Sequence, residues 1–183
     1  MKVLIKGAGD LASGIACRLY HCGMDVAMTE IGIPTTVRRT VAFSPAIYEG
    51  IAEVEGIEGI RCDSLEEMVI AVAERKIPVL EDPECQLAME WRPDVVVDAI
   101  IAKKNLGTTI RDAKIVIGVG PGFTAGADCH CVVETKRGHD LGRVLWKGSA
   151  FPNTGVPGMI GGYAKERIIR ASGDGIFKGM CRI

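Results

Sequence analysis

The sequence is poor in aromatic residues and has no excess of positive charge. Phe, Trp and Tyr make up 5% of the 183 residues, and the formal net charge is −1. Proteins that bind the phosphate backbone of nucleic acids need a concentrated basic surface, and those that bind single strands stack the bases on aromatic side chains. These two deficits argue against nucleic acid as the main partner.

The chain also lacks long apolar runs. None reaches the roughly 18 residues that a membrane-spanning helix needs, and the sequence begins with a strand-like segment rather than a signal peptide. A hydrophobic content of 48% still supplies ample material for a core. We therefore expect a cytoplasmic protein without a membrane segment, built as one domain or as one domain with an appendage.

Closely spaced cysteine pairs are missing as well. The seven cysteines are odd in number and form no C-x-x-C motif, so reduced thiols are expected rather than a disulfide framework. Structural zinc sites usually use cysteine pairs two to four residues apart. We therefore assign no metal ligands.

What the sequence does contain is an alternation of strand-like and helix-like segments over residues 1–120. A helix is predicted over 10–22, and a second is predicted from a capping box at Ser64 to Arg75. Strands are predicted over residues 2–6, 26–29, 78–80, 92–100 and 113–120. This order predicts an α/β fold with a Rossmann-like, doubly wound and mostly parallel sheet. Residues 101–112, where a crossover helix is expected, form a poor helix pattern.

The composition changes after residue 120. Residues 121–183 are rich in glycine, and two strand-like segments, 130–135 and 142–148, suggest a hairpin. We therefore predict a cofactor-binding domain over 1–120, followed by a glycine-rich segment with β-structure over 121–183.

The strongest candidate site is the turn after the first strand. Gly7, Gly9 and Ala12 match the G-x-G-x-x-A spacing, in which the backbone of a strand-to-helix turn closely approaches a dinucleotide pyrophosphate. Glu30 ends the second strand and is placed to accept a hydrogen bond from a ribose hydroxyl. Asp10 conflicts with a pyrophosphate, although it could accept from a ligand hydroxyl or amine, or coordinate a cation. The alternative is an ordinary tight turn.

Further candidates lie at the ends of later strands. Arg38 and Arg39 follow the second strand and could bind phosphate. The fourth strand ends at a polar cluster that we expect to face the same cleft as Gly7. The candidate cofactor-binding residues after Glu30 are therefore Arg38, Arg39, Asp98, Lys103, Asn105, Gly120 and Gly122. Solvated surface loops are the alternative for the charged members.

A cluster of thiols and imidazoles follows the glycine-rich loop. It contains Cys129, His130, Cys131 and His139. On a continuous strand, Cys129 and Cys131 would share one face and His130 would lie on the other. A role in a small-molecule pocket and a purely structural, packed cluster both remain open at this point.

Several stretches resemble a known family, the YqeB-like accessory proteins of the selenium-dependent molybdenum hydroxylase system. The stretches are GAGDLASG, VRRTVAFSPAIYEG, VVVDAIIAKKNLGT, GPGFTAG, ETKRGHDLGRV and PNTGVPGMIGGY, and the resemblance runs from residue 1 to about 177. The glycine turn and sheet more loosely resemble the XdhC-type maturation factors, which have a Rossmann-like domain.

The resemblance implies an accessory role in maturing a molybdenum hydroxylase, which would be the partner. The ligand at the Gly7 turn would be a nucleotide or a pterin: NAD(P), molybdopterin or molybdopterin dinucleotide. His130 or His139 would transfer protons. Cys129 or Cys131 would carry sulfur or selenium, provided that the thiol is exposed and has a lowered pKa.

Two other functions stay open, as do catalysis itself and homo-oligomer formation. An NAD-dependent oxidoreductase is favoured by Glu30, but no Tyr-x-x-x-Lys pair follows. A non-catalytic interaction module for the hydroxylase would keep only the fold.

The family resemblance further implies a small lipoyl-like β-barrel beyond this segment. Without that barrel, apolar residues near the end of the sequence are expected to lose part of their cover. These residues are Ile168, Ile169, Ile176 and Phe177.

Overall fold

A single nine-stranded mixed sheet organises the molecule. The structure is a computed structural model that describes residues 1–156, 158–169 and 171–175. The strands are β1 (Lys2–Lys6), β2 (Asp25–Glu30), β3 (Ile51–Val54), β4 (Ile57–Cys62), β5 (Ile77–Glu81), β6 (Val95–Asp98), β7 (Ile115–Val119), β8 (Cys131–Val133) and β9 (Val144–Leu145). The α-helices are α1 (Asp10–His21), α2 (Ala46–Glu49), α3 (Leu65–Ala73) and α4 (Gln86–Glu90).

The strand order confirms the predicted fold class. The order is β3-β4-β5-β2-β1-β6-β7-β8-β9. In this spatial order, every pair of neighbours from β4 to β8 is parallel. The edge strands β3 and β9 pair antiparallel with β4 and β8. The chain builds outward from β1 through β2 and then returns to add β6 on the other side of β1. The switch point of this doubly wound sheet therefore lies between β1 and β6.

Helices cover both faces of the sheet, and alternate strand residues supply two cores. Val3 and Ile5 of β1 pack in the same cluster as buried residues of α1 and α2. Leu4 packs on the opposite face with residues of α3 and α4. This alternation is the period of two that a strand imposes, and it explains why the central strands are apolar on both faces. None of the helices in the described ranges is long and apolar enough to cross a membrane.

The predicted elements of the first half are present. Strand β1 has the predicted bounds, β2 and β5 are longer than predicted, and β6 and β7 are shorter. Helix α1 ends one residue earlier than predicted. In α3 the Ser64 hydroxyl accepts from the Glu67 N–H at 3.2 Å, as a capping box requires. The hairpin of β3 and β4 was not predicted, because its short strands carry few buried residues and lie in a glycine-punctuated region. The short helix α4 was also missed.

The sheet crosses the predicted domain boundary at residue 120. Strand β8 pairs with β7 in parallel, and β8 and β9 form the predicted hairpin. The connection between β6 and β7 contains no helix, as its poor helix pattern indicated. Ile168 and Ile169 are exposed, Ile169 to 98%; Ile176 and Phe177 lie outside the described residues.

Glu134 attaches the segment after β9 to the sheet. Its side chain is buried, and its two oxygens accept the backbone N–H groups of Lys136 and Phe151, both at 2.7 Å. Its own backbone pairs with Arg143 and Gly142 across the hairpin. One residue therefore holds the hairpin turn, both hairpin strands and the start of the following segment together.

We expect Glu134→Gln to destabilise the protein by about 1–3 kcal/mol at neutral pH, because the amide NH₂ would face one of two backbone donors. Burial raises the pKa of Glu134, but the N–H groups of Phe151, Lys136 and Thr135 outweigh it and hold the pKa below 4.5. The carboxylate therefore stabilises the fold fully above pH 4.5, and this contribution is lost as the pH falls through the lowered value.

Denaturant unfolding at pH 7 and at pH values below 4.5 would measure this effect. The difference between the wild type and Glu134→Gln should be largest at pH 7 and should shrink in acid. The exposed Glu90→Gln is the matched control. An equal loss of stability in both variants would contradict the assignment.

Candidate functional site

A crevice opens at the switch point of the sheet, at the carboxyl ends of β1 and β6. Its volume is about 540 Å³, and its walls come from residues within the segments 7–12, 30–38 and 99–101. The position is the one at which doubly wound sheets bind ligands. The crevice contains the predicted residues Gly7, Gly9, Asp10, Ala12, Glu30 and Arg38.

Gly7 is required by the fold itself. Its φ of +92° is a conformation that residues with a side chain rarely adopt. An added Cβ would lie 3.0 Å from the Ile100 Cα and 3.1 Å from the Ala99 carbonyl oxygen, both backbone atoms. The glycine therefore allows the end of β1 to pass close to the end of β6, which closes one side of the crevice.

The peptide groups of Ala8 form three hydrogen bonds with other parts of the chain. The Ala8 N–H donates to Glu30 Oε2 at 3.0 Å. The Ala8 carbonyl accepts from the Ser13 hydroxyl at 3.2 Å and from the Ser44 N–H at 2.9 Å. Ser13 in turn accepts the Phe43 N–H at 2.9 Å. The turn is therefore rigid before any ligand arrives.

Ser13 and Ser44 were not among the predicted site residues. Both are buried, with 0% and 1% of their surface exposed. The available signal was a serine at helical spacing from the small residues Ala12, Ala16 and Cys17, which form the buried face of α1, since a buried hydroxyl needs a hydrogen-bond partner. The partner segment could not be identified from spacing, because Ser44 lies in an irregular region.

Gly9 differs from Gly7, because the fold does not require a glycine there. Its φ of −70° and ψ of −179° are accessible to any residue. An added Cβ would meet only the Thr36 hydroxyl, at an ordinary 3.6 Å. Gly9 lines the crevice and precedes the first residue of α1. Its lack of a side chain leaves space at the helix N-terminus that the protein does not fill.

Asp10 and Arg38 form an ion pair at this helix N-terminus. Arg38 Nη1 donates to Asp10 Oδ2 at 2.6 Å, and the Leu11 N–H donates to Asp10 Oδ1 at 3.0 Å. Arg38 was predicted as a phosphate ligand and here compensates the aspartate charge. Arg39 is exposed and does not line the crevice.

The backbone is strained where residues 99–101 form one wall of the crevice. Ile101 has a φ of +59°, which is a genuine outlier for a β-branched residue. The predicted ligand residue Lys103 has a φ of +63° but is exposed and does not line the crevice. Ile101 packs against the core on the α1 side. Such strain persists only where the surrounding structure enforces it, and it is concentrated at ligand-binding sites.

Asp98 was expected to face the crevice, but its side chain lies on the other face of the sheet. It pairs in register with Lys6 on the α3 and α4 side of the sheet and is 2% exposed. Lys6 Nζ donates to the Thr108 hydroxyl at 2.9 Å, and that hydroxyl donates to Asp98 Oδ2 at 2.6 Å. Asp98 therefore fastens the loop after β6. Asn105 has a similar role, because its amide bonds both polar backbone groups of Thr108.

Gly120 and Gly122 have structural reasons to be glycine. Gly120 has a φ of +80°, and an added Cβ would lie 2.8 Å from the Thr135 hydroxyl. At Gly122 the φ is +118°, and an added Cβ would lie 2.7 Å from the backbone of Lys104. These glycines pack the loop after β7 against its neighbours, and neither lines the crevice.

The thiols of the predicted cluster do not meet the condition set for catalysis. Cys129 and Cys131 are buried, and burial raises the pKa of each thiol above its usual value. They do not share a face, since β8 begins only at Cys131 and Cys129 packs with Val132 on the α3 and α4 side. A reactive thiol needs exposure and a lowered pKa.

The two histidines of the predicted cluster also have different surroundings. His130 Nδ1 accepts the Val116 N–H at 3.0 Å, so this imidazole is part of the pairing to β7. His139 is exposed in the hairpin turn. Within the described ranges, no group of three or more His, Cys, Asp or Glu side chains is arranged to hold a metal ion.

Comparison with known proteins supports the coarser part of the suggested resemblance, the similarity to YqeB. The chain is 51% identical over 176 residues to a protein of Escherichia coli K12 named "Uncharacterized protein YqeB". The chain is therefore similar to YqeB over that length. The matched region is 96% of this chain but 32% of the relative, so the chain spans about a third of the curated protein that it matches. No family model matches the chain, and no solved structure does.

Thiol labelling tests the assignment of the cysteines. With iodoacetamide under native conditions, we expect Cys22, which is exposed, to react more than about tenfold faster than Cys129 or Cys131, because burial keeps those two protonated and shielded. Cys62 should also react slowly, because burial, and to a lesser extent Glu67 and Asp63, raises its pKa to about 11. Peptide mass spectrometry at successive times would give the rates. Rapid labelling of Cys129 or Cys131 in the folded protein would support the hypothesis that this cysteine is catalytic.

Proposed function

We propose that the crevice binds a phosphate-bearing nucleotide or pterin ligand, and that the protein is an accessory factor in maturing a selenium-dependent molybdenum hydroxylase. The observation that carries the binding proposal is Gly9. The fold does not require a glycine at this position, yet its absent side chain keeps open the helix N-terminus at the switch point. Close approach of a ligand explains such a glycine.

The first turn of α1 supplies suitable groups for an anion. Among the residues that the structure describes, the N–H groups of Asp10 and Ala12 have no hydrogen-bond partner. Arg38 lines the same crevice and can bind a phosphate if it leaves Asp10. A phosphate or dinucleotide tail of a molybdopterin, or the pyrophosphate of NAD(P), would therefore be held by α1 and Arg38.

The hydroxylase role rests on the family resemblance of the motifs. The similarity to YqeB supports that resemblance in its coarser form, and the relation to molybdenum and selenium remains the proposal. In this role the pterin would supply the metal-binding dithiolene group, while the residues of the crevice would bind, orient and release it.

An NAD-dependent oxidoreductase is the second candidate, and Glu30 is the observation that favours it. The carboxylate ends β2, as in dinucleotide-binding folds. However, its oxygens already accept the N–H groups of Ala8 and Ile31, at 3.0 and 2.9 Å. An interaction module that binds no ligand is the third candidate.

Thermal unfolding in the presence of NAD, NADP, a cytidine dinucleotide and molybdopterin separates these candidates. A ligand that binds the folded state raises the midpoint as RT ln(1 + [L]/Kd). Stabilisation by the pterin compounds supports the proposal. Stabilisation by NAD or NADP alone supports the oxidoreductase, and no stabilisation by any compound supports the interaction module.

We expect Gly9→Ala to abolish the ligand-induced rise in midpoint while changing the stability of the free protein by at most about 1 kcal/mol, since alanine is a poorer N-cap than glycine. The matched control is Gly14→Ala in the same helix, where an added Cβ meets nothing within 4 Å. Gly14→Ala should keep the full ligand shift. A full shift in Gly9→Ala would remove Gly9 from the binding site.

A further inference from the structure

We infer that Asp10 is an internal competitor for ligand phosphate, and that it thereby sets which anions the crevice accepts. This inference rests on the proposed function and deepens it. The Asp10 carboxylate already occupies two groups that a phosphate would use at this site: the Leu11 N–H at 3.0 Å and Arg38 Nη1 at 2.6 Å.

A second carboxylate occupies the preceding part of the turn. Glu30 accepts the N–H groups of Ala8 and Ile31, so they too are satisfied from within the protein. Of the residues lining the crevice, Arg38 is the only one with a cationic side chain, while Asp10 and Glu30 are both acidic. The crevice therefore lies at a strand-to-helix turn of the type that binds phosphates, but its lining side chains carry a formal charge of −1.

The two carboxylates are not equally exchangeable. Glu30 bonds two backbone donors that belong to the end of β2 and to the rigid Ala8 turn. Asp10 instead bonds its own neighbour and a flexible arginine, and the pair is exposed, with 34% of the Asp10 side chain and 60% of the Arg38 side chain accessible. An exposed ion pair of this kind holds its partners only weakly. A phosphate can therefore take Arg38 from Asp10 without disturbing the fold.

Two consequences follow for the ligand. An anion with enough charge to compete for Arg38 gains a charge-assisted contact, whereas a neutral ligand leaves the Asp10–Arg38 pair intact. Removing the Asp10 charge should therefore improve the binding of phosphates and should not affect neutral nucleosides. A ligand that Asp10 contacts directly through a hydroxyl or amine would show the opposite response.

Asp10→Asn is the decisive variant, because asparagine keeps the size and an acceptor oxygen for the Leu11 N–H. Isothermal titration with pyrophosphate and with adenosine would measure the effect. We expect Asp10→Asn to bind pyrophosphate about tenfold more tightly than the wild type, the size of one charge-assisted contact, and adenosine with unchanged affinity. Arg38→Gln should weaken pyrophosphate binding. The neighbouring exposed Arg39→Gln is the matched control and should bind as the wild type does.

The double variant Asp10→Asn with Arg38→Gln tests whether Asp10 competes with phosphate through Arg38. If Asp10 competes through Arg38, the gain from Asp10→Asn is smaller in the Arg38→Gln background. Equal or weaker pyrophosphate binding by Asp10→Asn, while the wild type binds, overturns this inference and leaves the proposed function standing. An equal effect of Arg38→Gln and Arg39→Gln also overturns it. No pyrophosphate binding by the wild type or by Asp10→Asn overturns the inference and the phosphate-binding function together.

Discussion

The crevice depends on the hydrogen bonds made by the two peptide groups of Ala8. Their N–H is fixed by the end of β2 through Glu30, and their carbonyl by α1 through Ser13 and by the following segment through Ser44. Four parts of the chain are thus joined within one turn. These bonds satisfy both polar groups of Ala8, which is fully buried, and they hold the turn where Gly7 passes close to the end of β6.

Charge compensation is the second feature of the site. In a phosphate cradle the N–H groups of the turn and helix are free for the ligand, and here two carboxylates of the protein occupy part of them. The rigid one, Glu30, belongs to the architecture, while the exposed one, Asp10, is exchangeable. This difference connects the local hydrogen bonding of the turn with the ligand classes that the crevice can take. In the proposed function, this exchange makes the aspartate of the glycine motif compatible with an anionic ligand.

The second half of the chain contributes structure more than chemistry. Glu134 attaches the final described segment to the sheet, Gly120 and Gly122 pack the loop after β7, and His130 pairs with the backbone of β7. The cysteines beside it are buried and have raised pKa values. Of the four residues predicted to be reactive, Cys129 and Cys131 are therefore buried, His130 bonds the backbone of β7, and His139 is exposed.

The sequence alone predicts the α/β class, the glycine turn between β1 and α1, and the acidic residue at the end of β2. These features depend on local periodicity and on neighbours within about 30 residues, which a pattern records. The folded structure was needed to show that Arg38 pairs with Asp10, that Asp98 turns to Lys6 and Thr108 on the opposite face, and that Ser13 and Ser44 meet at Ala8. Each of these is a contact between segments distant in sequence, or depends on which face of a strand a residue occupies. Such contacts are set by the packing of the whole sheet, because shifting a strand by one residue exchanges its two faces.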